Sequence, residues 1–153
     1  MTDGIEVEAA MGEGVRLPLD LGRVEEVVRH VLAAEEVRAA EISIAFVADP
    51  AIATLNEGYL AHQGTTDVIS FALHGEGERP LGDIYVGADQ AARQSAEVGV
   101  PVEEELLRLA IHGTLHVLGY DHPAEAERSG SPMYRRQEEL LASFLDRVRA
   151  DER

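Results

Sequence analysis

The sequence predicts an α+β fold, a single domain in which a small mixed four-stranded sheet is covered by about five helices. Three observations predict it. Short stretches dense in β-branched and aromatic residues recur along the chain, two of them with period-two alternation. Longer stretches place apolar residues at helical spacing with charges between them. The two strand-like stretches around residues 70 and 84 are joined by a short glycine-rich connection, which pairs them antiparallel. At 153 residues the chain suits one domain, burying roughly two-thirds of its unfolded surface.

Ile5–Ala9 alternates apolar and polar residues, as an edge strand does. From Asp20 to Ala34, Leu21, Val24, Val27, Val28, Val31 and Leu32 trace the apolar face of a helix. Glu41–Val47 is a strand with Ile42, Ile44 and Phe46 inward. Asp49-Pro50 then supplies a helix cap and a first-turn proline, starting a helix over 51–60. Asp67–Leu73 is dense enough in β-formers to predict a central strand, and Leu81–Gly87 is the next one. Helices follow over Asp89–Val98, Pro101–Leu118 and Met133–Arg149. Repeats, low-complexity tracts and linkers are absent from the sequence.

Composition narrows the function. With no cysteine, disulfides and thiolate ligands are excluded, and any metal falls to His, Asp or Glu. Charges interrupt every apolar stretch, and the acidic start, Met1-Thr-Asp-Gly-Ile-Glu, lacks the basic and apolar regions of a signal peptide. A cytoplasmic location is the expectation. The formal charge is −16, and all thirteen basic residues are arginine. Such acidity repels phosphate at long range and favours a basic protein partner or a small substrate.

Against that background, three of the six histidines crowd into His112-Gly-Thr-Leu-His116-Val-Leu-Gly-Tyr-Asp-His122. His112 and His116 are one helical turn apart, offset by about 40° of rotation. Gly119 lets the chain double back after the helix, returning His122 toward the other two rings. A lone histidine is usually a satisfied core residue. Three at this spacing, with a fourth position left to water, instead describe a catalytic zinc site. Nickel, cobalt or copper would also accept three imidazoles. Glu103, Glu104 and Glu105 favour the positive end of the supporting helix, and Asp121 is either an acceptor that orients an imidazole or a turn residue.

The spacing is that of the metzincin metalloproteases, but Gly113 stands where those enzymes carry their glutamate base, which argues against peptide hydrolysis. The same eleven residues resemble the signature of the YbeY family, bacterial metal-dependent endoribonucleases. Leu55-Asn56-Glu-Gly-Tyr59, Thr66-Asp67-Val68-Ile69-Ser70-Phe71, Leu81-Gly82-Asp83-Ile84, Met133-Tyr134 and Gln137-Glu138 resemble further blocks of that family. The resemblance implies a zincin-like fold and one Zn2+ on His112, His116 and His122. It implies a metal-bound water attacking RNA phosphodiesters during 16S rRNA maturation and ribosome quality control. The implied partners are rRNA and the small ribosomal subunit; a basic ribosomal protein, which the acidic charge suits, or an assembly GTPase is the further partner expected. This chain departs from the family at Leu60, where an arginine thought to contact RNA is common, and at Gln63 and Thr65, which replace Asp and Pro. The arginine's role is then lost, dispensable, or taken by another such as Arg79 or Arg128.

The general acid or base is unassigned. Asp67 and Asp83 are the weak candidates: a carboxylate before a strand is most often a turn or cap, whereas one inside a strand is disfavoured and calls for a reason. Ser70 is expected to hydrogen-bond within the sheet, and His30, His62 and His74 to be solvated without special roles. Met133 is either an apolar floor under the metal or ordinary core. Arg135, Arg136, Arg147 and Arg149 make the last helix the most basic element, offset by Glu138, Glu139 and Asp146. The rival to an endoribonuclease is a ribosome-associated zinc-binding assembly factor with little or no nuclease activity.

Overall fold

The computed structural model describes residues 4–16, 19–55, 68–120 and 132–152. Their order is β1 (Ile5–Met11), α1 (Leu21–Ala34), β2 (Ala40–Val47), α2 (Asp49–Leu55), β3 (Val68–Ala72), β4 (Leu81–Gly87), α3 (Ala88–Val98), α4 (Val102–Val117) and α5 (Pro132–Asp151). The sheet runs β1-β2-β4-β3; β1, β2 and β4 are parallel, and β3 joins antiparallel to β4. A mixed four-stranded sheet with five helices is thus the architecture expected of this sequence.

One expectation about the strands fails. Among the described strands the one within Asp67–Leu73 is not central but lies at the edge, and its described part is the five residues Val68–Ala72. Density of β-formers marks a strand but not its place in the sheet: of Val68–Ala72 only Ile69 is buried, and the strand has one partner among the described strands.

Alternation decides which side of the sheet meets the helices. Ala40, Ile42, Ile44 and Phe46 of β2 are buried, and Gly82, Ile84 and Val86 of β4 share their face through the register. Against that face packs α4, which also touches α1, α3, α5 and β3 and is therefore the central helix. Two glycines set how close it comes. A Cβ on Gly82 would lie 2.6 Å from both γ carbons of Val117, and one on Gly113 would lie 2.6 Å from Ile84 Cγ2 and 3.1 Å from Ser70 Oγ. Neither position has room for a side chain.

Helix starts follow capping chemistry with small corrections. Asp20 caps α1, its carboxylate accepting from the Gly22 amide at 2.8 Å. Asp49 does not cap α2 but lies in its first turn; the Ala48 carbonyl takes the Ala51 and Ile52 amides. The Asp49 carboxylate instead pairs with Arg93 of α3 at 3.1 Å. On the outer side of β1, Glu25 of α1 accepts from the Ala9 amide at 3.1 Å, and Arg29 donates to the Ile5 carbonyl at 3.4 Å. Among the described residues no helix is long and apolar enough to cross a membrane.

His30 joins α1 to α5 rather than facing only solvent. Ser143 donates its hydroxyl proton to the Leu140 carbonyl, so it accepts from His30 Nε2 at 2.8 Å; Nδ1 then accepts from Arg147 at 3.4 Å. The ring also meets Phe144 edge-on at 5.4 Å. Burial, then the charges of Arg147 and Arg136, hold its pKa below the ordinary histidine value. The folded chain therefore favours the neutral ring. The resulting stability is fully present above about pH 6.5 and is lost as pH falls from there through the lowered folded value. In urea titrations at several pH values, the stability advantage of wild type over His30→Gln should shrink on acidification below pH ~6.5. An advantage that grows with acid would contradict the arrangement.

Candidate metal centre

The site is built on the second half of α4. Pro101 lies just before the helix, with ψ 143°, and not in its first turn; Glu103, Glu104 and Glu105 follow it. Leu106, Leu107, Ala110, Ile111, Leu115 and Val117 are buried around most of the helix, which fixes its rotation. His112 and His116 are left half-buried on one strip. Their ring centroids are 4.9 Å apart with planes at 79°. Two imidazoles bound to one tetrahedral ion, each nitrogen about 2.0–2.1 Å from it, have centroids roughly 5 Å apart. The observed ring separation is within what a shared ion allows.

Past His116 the chain turns as expected from Gly119. The Gly119 amide donates to the His116 carbonyl and the Tyr120 amide to the Leu115 carbonyl, both at 3.0 Å, with Gly119 at φ +106°. This is the helix ending that needs a residue in the left-handed region. Tyr120 is then pinned: its hydroxyl donates to Glu35 Oε1 at 2.7 Å, and Arg136 Nε holds the other oxygen of Glu35 at 2.7 Å. The hydrogen bond to Glu35, then burial, raise the Tyr120 phenol above its usual pKa and keep it a donor. The Tyr120 side chain is thereby tied to Glu35, just past the end of α1, and through it to Arg136 of α5.

Of the proposed ligands, the structure brings His112 and His116 together; His122 lies outside the described residues, as do Asp121, Asp67, Asn56, Tyr59, Leu60, His62, Gln63, Thr65 and Arg128. Among the described residues no group of three His, Asp or Glu side chains forms a metal site. Asp83 is not brought to the histidines. Gly82 and Ile84 face α4, so alternation turns Asp83 to the opposite side of the sheet, level with Ser43 and Phe71. There it borders an open hollow with Glu6, Glu8 and Glu41. Arg79 pairs with Glu41 at 3.6 Å. Ser70 does not bond within the sheet but donates to the Gly113 carbonyl of α4 at 3.3 Å, because its side chain shares the helix-facing side with Ile84. Met133 is 2% exposed and belongs to the general core. His74 is also more than a solvated loop residue: its Nδ1 accepts from the Leu81 amide at 3.1 Å, closing the β3–β4 connection.

The sequence marks Gln137 only as part of a family-like block; its place at the site is seen in the structure, where its Oε1 lies 2.6 Å from His112 Nδ1. The signal was present: Met133, Gln137, Leu140, Leu141 and Phe144 recur at helical spacing, so the glutamine stands in an apolar stripe.

Residues 16–145 match the family model described as Endoribonuclease YbeY. The chain is 40% identical over 133 residues to the endoribonuclease YbeY of Geobacillus thermodenitrificans, covering 79% of this chain and 84% of that one. It is 42% identical over 129 residues to that of Syntrophotalea carbinolica, covering 80% and 85%. Its fold resembles the solution structure of TM1509 from Thermotoga maritima, with a TM-score of 0.64 and 26% identity over 96% of this chain and 93% of that one.

Proposed function

The chain belongs to the endoribonuclease YbeY family, and from that membership we propose that it is a zinc-dependent endoribonuclease of the cytoplasm. Its substrate is single-stranded RNA of the small ribosomal subunit, cleaved in 16S rRNA maturation and ribosome quality control. The observation that carries the reading is the His112–His116 pair, set at the separation one ion requires on the strip of α4 the core leaves accessible. His122 is the proposed third ligand. His112, His116 and His122 would hold the zinc ion, which when bound would supply positive charge at a phosphoryl oxygen and lower the pKa of water toward neutral.

The chain's own residues do the rest. Gln137 takes the Nδ1 side of His112, and α4, wedged among three helices and two strands, holds both rings in fixed relative position. Residue 113 contributes no base, because its Cα faces Ile84 and Ser70. Proton transfer must come from outside that position, and Asp67 remains the candidate carboxylate.

The test is cleavage of precursor 16S rRNA by the purified protein, alongside measurement of its metal content. Cleavage should stop with chelator and return with zinc; cleavage indifferent to chelator would remove the proposal. A second reading, an assembly factor with little turnover, is favoured by the formal charge of −16 and the acidic open face of the sheet. Its proposed partner is a basic ribosomal protein or an assembly GTPase. Co-sedimentation with small subunits without detectable cleavage would select it.

A further inference from the structure

Gln137 occupies a position that its neighbours on α5 give to apolar side chains, and it is 6% exposed. A buried amide is costly unless both of its ends find partners. Its carbonyl faces His112 Nδ1 at 2.6 Å, and its amide nitrogen donates to Glu138 Oε2 at 2.9 Å. Glu138 in turn accepts from Arg108 Nε at 2.9 Å and Nη2 at 3.3 Å, while Arg108 Nη1 donates to Glu105 at 2.7 Å.

The direction of every bond in this chain follows from its far end. A guanidinium only donates and a carboxylate only accepts. Glu138 therefore requires the NH2 of Gln137, which leaves the carbonyl toward the imidazole. A carbonyl cannot donate, so the hydrogen in that contact belongs to His112 Nδ1. A neutral imidazole protonated on Nδ1 carries its lone pair on Nε2, the nitrogen then able to bind a metal.

We propose that Gln137 is a positioning residue that locks His112 in its Nδ1–H tautomer and so assigns Nε2 to the ion, with Glu138 and Arg108 setting the direction of the Gln137 amide. The proposal rests on the reading of His112 as a metal ligand. It adds the device that makes the imidazole a ligand through one defined nitrogen.

The experiment uses the full chain and two variants, Gln137→Met and Gln137→Glu, with two readouts. Nitrogen-15 NMR of metal-free, histidine-labelled protein reports which ring nitrogen of His112 carries the proton. Competition with a chromogenic chelator reports zinc affinity. Wild type should show Nδ1–H. Gln137→Met, which fills the same space without an acceptor, should lose that tautomer's dominance and bind zinc roughly 10–100-fold more weakly. Gln137→Glu keeps an acceptor and should retain both the tautomer and an affinity within several-fold of wild type. Urea midpoints of the variants separate these effects from unfolding, since methionine suits the apolar stripe. A proton on Nε2 in wild type, or unchanged zinc affinity in Gln137→Met, overturns the role of Gln137. Failure of wild type to bind zinc while Nδ1–H persists overturns the metal-ligand reading instead, so the two failures are distinguishable.

Discussion

His116→Ala is expected to lower RNA cleavage about a thousandfold and to leave the protein folded. The size follows from losing several kilocalories per mole of charge stabilisation at the phosphoryl group, with each 1.36 kcal/mol a factor of ten in rate. Stability should be kept because the side chain is half-buried on the accessible strip of α4, and alanine is the better helix former there. The combination distinguishes a ligand from a core residue: a histidine needed for packing would cost stability along with activity. Rate measurements on precursor rRNA, paired with urea midpoints, check it. A variant that cleaves at the wild-type rate, or that unfolds, would remove His116 from the site.

Gly113→Glu has the opposite signature. Formally it restores the carboxylate of the metzincin motif, yet no proteolysis should appear and the fold should fail. Any Cβ at that position meets Ile84 Cγ2 at 2.6 Å and Ser70 Oγ at 3.1 Å. Overpacking by even a methylene or two costs about 1–3 kcal/mol. A carboxylate thrust between α4 and β4 adds several more unless it is paired. Together these consume a large share of a total of about 5–15 kcal/mol. Gly113→Ala isolates the steric part and should lose roughly 1–3 kcal/mol, partly relieved by the better helix propensity of alanine. Urea unfolding of both variants measures the two contributions. A glutamate variant with the wild-type midpoint would show that α4 does not press on the sheet as described.

These two variants also mark what was legible in the sequence. The helix of the His motif, the glycine that ends it and the facing of Ile42, Ile44 and Phe46 followed from local periodicity and turn chemistry, and each appears in the structure. Long-range facts were harder to see. That β3 is an edge depends on which strand β2 pairs with, and nothing local to Val68–Ala72 carries that information. The facing of Asp83 is legible in the sequence, since Ile84 and Val86 define the phase of β4 and place Asp83 on the opposite side. For Gln137 the helical stripe was visible, while its partner, twenty-five residues earlier, was not. The local sequence around Ser70 shows only a strand, and its bond to the Gly113 carbonyl arises because α4 comes so near.

The two bonds from α1 to β1, by Glu25 and Arg29, have a further effect. An outermost strand with bare amides and carbonyls is a template on which a foreign chain can lengthen the sheet, the first step toward aggregates. Here an amide and a carbonyl of that template are already taken by side chains of the same molecule, and Glu6 and Glu8 add negative charge along the same strand. A second copy approaching this margin would have to displace the Glu25 carboxylate and bring like charges together, so growth of the sheet in that direction is opposed from within the chain itself.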